Sequence, residues 1–229
     1  MAKGQPTLFW YDFETSGIDS RRDRIFQVAA LRTNLDFEPV DEPINIFCKP
    51  SADFLPHPQA CLVTGITPQM ADEKGISETE FCHKLNKQLM QANTCTLGYN
   101  SLSFDDEFTR NLMYRNLRDP YAREWQNGNS RWDLIDLVRS AFALRPDGIN
   151  WPVHDNGKPS FKLEDLTKAN NLEHEQAHDA LSDVYATIAV ARLIKEKQPK
   201  LYNYIFNHRD KNSVFKLLSV MDPKPVMYV

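Results

Sequence analysis

The stretch FWYDFETSG, residues 9–17, constrains this chain more than any other. Phe9, Trp10, Tyr11 and Phe13 form a run that belongs in a protein interior, yet Asp12 and Glu14 sit inside it, where unpaired charge is costly. On a strand, residues i and i+2 point to the same side, roughly 6.5–7 Å apart, so the two acids stand together on one face. Like charges so placed repel unless a cation lies between them, and hard oxygen donors suit Mg²⁺ or Mn²⁺. Taken alone, the same D-x-E pattern also fits an edge strand that turns both acids to solvent.

The 229 residues suit one large domain, or one domain with an appendage, and can bury a sizeable core. No apolar run approaches the roughly 20 residues needed to cross a bilayer, and MAKGQPT lacks the hydrophobic core of a secretory signal. A cytoplasmic protein with no membrane partner is the expectation. Cys48, Cys61, Cys82 and Cys95 form no CxxC pair, so they are read as reduced and structural rather than as a zinc or redox site. The net charge of −4 argues against indiscriminate nucleic-acid binding.

The first third reads as strands, Leu8–Thr15, Ile25–Thr33 and Pro43–Lys49, joined by polar turns in an antiparallel meander. Helical signals follow. Thr67-Pro68 offers a cap with proline at the first helical position, and Ser77-Glu-Thr-Glu80 is a capping box for a helix to about Gln91. Thr94–Tyr99 reads as a buried strand, followed by a helix with Phe108, Leu112 and Tyr114 at helical spacing. Further helices are expected over Arg131–Leu144, Leu163–Asn170, Asp179–Glu196 and Leu201–Leu218, with a loop at Arg145–Ser160. Strands first, then strand and helices mixed, indicate an α/β fold on a mixed sheet. Residues 1–198 are read as one domain and 199–229 as a helical segment and tail.

Two other places carry matching chemistry. In GYNSLSFDDEFTR, Asp105 and Asp106 follow a strand and open a helix, where acids also suit the helix dipole. In EQAHDALSDVYATIAV, His178 precedes a long helix and Asp183 sits inside it, at the border of the Leu181, Val184, Ile188, Ala191 stripe. Each has an ordinary structural explanation by itself, as N-terminal caps or surface charge.

Between Arg110 and Arg145 lie seven arginines, no lysine and four acids, interleaved with Tyr114, Tyr121, Trp125 and Trp132. Alternating guanidinium and aromatic groups suit single-stranded nucleic acid, in which phosphates take cations and unpaired bases stack. Trp132 is assigned to the core. Tyr121 and Trp125, after Pro120, are candidates for exposure, and Arg110, Arg139 and Arg145 for phosphate contact.

D-x-E on the first strand, F-D after a later strand and H-x4-D at a C-terminal helix together resemble the DEDDh exonucleases. The segments GYNSLSFDDEFTRN, NSRWDLIDLVR, ALRPDGINWP and LTKANNLEHEQAHDALSDVYATIA are similar to the exodeoxyribonuclease I branch of that group, over about Leu8–Pro225. The resemblance implies a ribonuclease H-like mixed sheet, an antiparallel meander plus parallel strands, flanked by helices. It implies that Asp12, Glu14, Asp105 and Asp183 bind two Mg²⁺ ions, with Mn²⁺ able to substitute, and that His178 is the general base. Asp105 is chosen over Asp106 because the family acid follows the phenylalanine directly. Glu14 is counted with His178 as catalytic and also as touching substrate, alongside Arg110, Tyr121, Trp125, Arg139, Arg145 and Lys162. At Lys162 relatives commonly carry arginine. The implied activity is 3′→5′ hydrolysis of single-stranded DNA to 5′-mononucleotides in repair or recombination. Single-stranded DNA-binding protein is the implied partner, and a monomer is expected. The family continues into an SH3-like domain that promotes processivity, so these residues alone are expected to digest distributively. The alternatives are a 3′→5′ exoribonuclease like ribonuclease T or oligoribonuclease, and an inactive nucleic-acid-binding module.

Overall fold

In the computed structural model, which describes residues 4–173 and 180–218, the aromatic run is β1 (Thr7–Thr15). It pairs antiparallel with β2 (Ile25–Thr33), which pairs antiparallel with β3 (Ile44–Phe47). On its other edge β1 pairs parallel with β4 (Thr94–Gly98), and β4 pairs parallel with β5 (Ser130–Asp133). The order β3-β2-β1-β4-β5 puts β1 at the centre. The sheet is therefore the expected combination of a meander and parallel strands.

A central strand must be apolar wherever both of its faces are covered, and β1 is so over Leu8–Tyr11. Leu8 and Trp10 face a core shared with α5 (Leu134–Leu144), α7 (Ala180–Lys197) and α8 (Pro199–Asn207). Phe9, Tyr11 and Phe13 face a second core against α3 (Glu78–Leu89) and α4 (Asp105–Arg115). Two short helices, α1 (Pro58–Thr64) and α2 (Pro68–Lys74), cross between β3 and α3, while α6 (Leu163–Ala169) precedes α7 and α9 (Lys211–Leu218) follows α8. All four cysteines are free thiols, as their spacing indicated. No helix among the described residues is long and apolar enough to cross a membrane.

The structure corrects three sequence readings. The helix expected from Arg131 begins at Leu134, because Ser130–Asp133 pair with β4 as β5 and Asp133 caps the helix by accepting the Ile135 amide. Helix α1 was not anticipated; Pro58 opens it and the His57 side chain caps it. The single helix expected over Leu201–Leu218 is two, since α8 closes at His208 and Asp210 accepts the Ser213 amide as the chain turns into α9. The helix expected around Phe108, Leu112 and Tyr114 is α4, in which Phe108 and Leu112 are buried and Tyr114 is exposed. Trp132 is core as assigned, edge-on to Tyr202 and Phe206, which also brings α8 into the same core as β1.

Candidate active site

The parallel ladder between β1 and β4 covers only Thr7–Trp10 of β1. Gly98 ends β4 against β1, and any Cβ there would lie 2.6 Å from the Tyr11 carbonyl oxygen. Beyond Trp10, β1 therefore overhangs its neighbour, and the overhang carries Asp12 and Glu14. Both lie on the Leu8/Trp10 side, toward α7. The register with β2 shifts between Glu14 and Thr15, a bulge of the kind that re-aims side chains beside functional sites.

Helix α7 completes the cluster. Carboxylate oxygens of Asp12, Glu14 and Asp183 all lie within 4.8 Å of one another. Burial, and then the charge of Asp183, push the Asp12 carboxyl up to about 8. Negative charge is thus crowded in one half-buried place, and the donors are hard carboxylate oxygens, a set that fits a divalent cation such as Mg²⁺ or Mn²⁺.

Asp105 enters from the other side, at the first residue of α4. Its Oδ1 accepts the Phe13 amide at 3.1 Å, satisfying a β1 donor past the end of the paired stretch of β4. Burial, with the charges of Asp12 and Asp106, pushes its carboxyl well above the usual range, against the pull of the Phe13 and Asp105 amides. Asp106 behaves oppositely. Despite burial, Arg123 and hydrogen bonds from Tyr11, Arg123 and Arg131 hold it below its ordinary value. Tyr11 Oη donates at 2.7 Å, Arg123 Nη2 at 2.5 Å and Arg131 Nη1 at 2.6 Å. Asp106 is thus a structural ion-pair centre, whereas Asp105 is bonded to β1 and feels the charge of Asp12, although its carboxylate is not among the three that lie within 4.8 Å of one another. His178 lies outside the described residues.

Two hollows flank the carboxylates. Glu14 lines one of about 530 Å³ with Phe13, Thr15, Ile18, His57, Val63 and Phe104. Asp183 lines the other, about 620 Å³, with Tyr99, Arg139, Phe161 and Lys162. Arg139 is mostly exposed, 3.6 Å from Asp136, and Lys162 is exposed with Glu164 3.9 Å away. Tyr121 and Trp125 are exposed as expected, by 54% and 66%.

The arginine run is not one surface stripe. Arg123 is 1% exposed and paired with Asp106, Arg131 pairs with Asp106 and Glu124, and Arg115 pairs with Glu78. Arg110 is bonded to Glu107 and Glu124 and lies over the Tyr121 ring at 5.1 Å. Arg145 is exposed and donates to the Leu144 carbonyl at 2.6 Å. The sequence reading missed the Glu14-side hollow, because His57, Ile18 and Phe104 come from three separate segments with no shared spacing.

The exonuclease family model of the RNase T group matches residues 9–191. Exodeoxyribonuclease I of Haemophilus influenzae is 53% identical over 223 residues, covering 97% of this chain and 47% of its own length. A crystal structure of Escherichia coli exonuclease I in complex with a dA16 oligonucleotide superposes with a TM-score of 0.92 at 52% identity, over 93% of this chain and 46% of that one. An ExoI/SSB-Ct complex superposes with a TM-score of 0.91 at 51% identity, again over 93% of this chain and 46% of that one. The chain thus spans about half the length of the relatives it matches.

Asp105 and Asp106, adjacent in sequence, should respond oppositely to neutralisation. Asp106→Ala strands Arg123 in the interior and should lower the unfolding free energy by about 3–5 kcal/mol in urea titrations. Asp105→Asn keeps an acceptor for the Phe13 amide and removes a carboxylate that the metal-free fold disfavours. Because a raised folded pKa makes ionisation cost stability as pH rises above the ordinary carboxylate range, Asp105→Asn should be at least as stable as the parent near neutral pH without metal. A parent-like Asp106→Ala would contradict the assignment. For the cation, binding below pH 8 must displace the proton that Asp12 holds, since its carboxyl titrates at about 8. Calorimetric affinity for Mn²⁺ should rise with pH toward about 8, with proton release that falls away above it. A pH-independent affinity would count against Asp12 as a ligand.

Proposed function

The chain belongs to the RNase T exonuclease family, and from that membership we propose that it is a metal-dependent nuclease that shortens single-stranded DNA from the 3′ end, releasing nucleoside 5′-monophosphates. The observation that carries the proposal is the convergence of Asp12, Glu14 and Asp183 within 4.8 Å at the overhanging end of β1, with Asp105 bonded to the same strand. The similarity to a nuclease solved with a dA16 oligonucleotide supports a DNA substrate.

Asp12, Glu14, Asp105 and Asp183 would hold two divalent cations, Mg²⁺ with Mn²⁺ able to substitute. Such cations supply the charge that steadies the attacking and leaving oxygens of an in-line phosphoryl displacement. The protein's own groups do the rest. Glu14 also contacts the terminal nucleotide, from the hollow in which Phe13, Ile18 and Phe104 provide apolar surface for a base. Lys162 and Arg139, across the carboxylates, face the strand's phosphates. Tyr121 and Trp125 offer exposed rings on which unpaired bases stack, and Arg110 and Arg145 complete the backbone contacts. His178, five residues before Asp183, takes the proton from the attacking water near neutral pH. The solved ExoI/SSB-Ct complex supports single-stranded DNA-binding protein as a partner. Repair or recombination is the corresponding role, for a protein acting as a monomer.

Incubation with 3′-labelled single-stranded DNA and RNA of one sequence, with Mg²⁺ or EDTA, tests the reading. Labelled mononucleotide should appear from DNA with Mg²⁺ and not with EDTA. Faster release from RNA would move the assignment to an exoribonuclease, and no release from either would leave a binding module. His178→Ala should lower turnover at least ~10²-fold while Mn²⁺ affinity stays near the parent value. An equal loss of metal binding would make His178 a ligand instead.

A further inference from the structure

Between α5 and α6 the chain folds into a small hairpin. Val153 and Pro159 pair as an antiparallel bridge, the His154 amide donates to the Lys158 carbonyl at 2.8 Å, and the Gly157 amide donates to the His154 carbonyl at 2.8 Å. Gly157 takes φ +78° at the tip, a left-handed turn that glycine adopts without strain. The base of the hairpin is tied down. The Ser160 amide donates to the Pro152 carbonyl at 2.8 Å and its hydroxyl to Asp165 of α6 at 2.5 Å. The Tyr99 hydroxyl, just past β4, donates to the Phe161 carbonyl at 2.5 Å. The hairpin is therefore held to the strand whose continuation delivers Asp105.

His154 lines the same hollow as Arg139, Lys162 and Asp183. Four of the six histidines in the sequence lie among the described residues. His57 caps α1, His83 lies 3.3 Å from Arg118, and His208 lies 2.7 Å from the Tyr204 carbonyl. The exposed ring of His154 has no hydrogen-bond partner among the described residues. A fixed backbone thus presents an uncommitted imidazole in the same open cleft as a guanidinium and an ammonium. Three donors around one cleft match phosphate oxygens, which recur at every nucleotide whatever the base. Glu164 and Asp183 line the same cleft and offset their charge, so each donor counts toward holding an anion.

We propose that His154 is a positioning residue for polynucleotide substrates: its ring donates a hydrogen bond to a backbone phosphate on the 5′ side of the bond to be cut, in the cleft it shares with Arg139 and Lys162. The inference rests on the nuclease reading above and extends it to a segment that none of the sequence motifs includes. His154 holds the strand, not the reacting phosphate, so its removal should be felt in proportion to how much strand the substrate has.

The test compares the p-nitrophenyl ester of thymidine 5′-monophosphate, which has no upstream nucleotide, with a single-stranded oligothymidylate, using the 229-residue chain and Mg²⁺ or Mn²⁺. His154→Ala should lower kcat/KM on the oligothymidylate about 3- to 10-fold relative to the ester, through KM rather than kcat. His154→Glu should lower it further, and His154→Lys should restore it. Equal effects on the two substrates, or none on either, overturn the inference and leave the nuclease reading standing. Failure of the parent chain to release product from either substrate overturns both.

Discussion

The hydrogen-bond ladder of β1 runs out on one side before the strand does, and the site depends on that mismatch. Over Thr7–Trp10 the strand is flanked by β2 and β4, and Leu8, Phe9 and Trp10 are sandwiched between two cores that take apolar side chains. Past Trp10 the β4 side is vacated, and the backbone there needs a new acceptor. Asp105 provides it at the start of α4, so a main-chain hydrogen bond, rather than attraction between acids, holds a fourth carboxylate near enough to feel the charge of Asp12. Aromatic burial and acidic chemistry therefore share one strand without conflict, because past Trp10 they alternate between its two faces, Tyr11 and Phe13 entering the α3/α4 core and Asp12 and Glu14 turning toward α7.

Asp105 and Asp106 show how the fold sorts neighbouring charges. Both are buried in the first turn of α4. One turns toward the phenol of Tyr11 and two guanidiniums and is fully compensated; the other turns toward more carboxylates and is not. The compensated acid anchors the wall, since Arg123 ties it to the 3-10 turn at Ala122–Glu124 and Arg131 ties it to β5. The uncompensated charge sits where a cation can relieve it. Rigidity in the second group lets repulsion persist in the first.

Around the carboxylates the two hollows differ in character. The Glu14 side is apolar, with Phe13, Ile18, Val63 and Phe104, and suits a flat base. The Asp183 side carries Arg139, Lys162 and His154, and suits phosphates. Under the proposed reading, a strand with its terminal base in the first and its backbone in the second has its last phosphodiester at the carboxylates. The polarity of digestion then becomes a matter of which end fits the apolar hollow.

The sequence by itself determined the local half of this protein. Period-two alternation in FWYDFE set which residues of β1 share a face, the Ser77 capping box and Thr67-Pro68 opened helices where expected, and F-D-D marked the turn into α4. Those signals are short-range, and their physics is complete within a few residues. It did not determine where the arginines go: seven among thirty-six residues read as a binding surface, yet Arg123 is interior, and Arg110, Arg115 and Arg131 are paired with glutamates. Nor did it reveal β5, whose four residues carry a helical pattern and become a strand only because β4 has an open edge beside them. Which of two adjacent aspartates is compensated by guanidiniums, and that His154 lines the hollow beside Asp183, were decided by tertiary structure, because burial and charge compensation are sums over neighbours that no local spacing records.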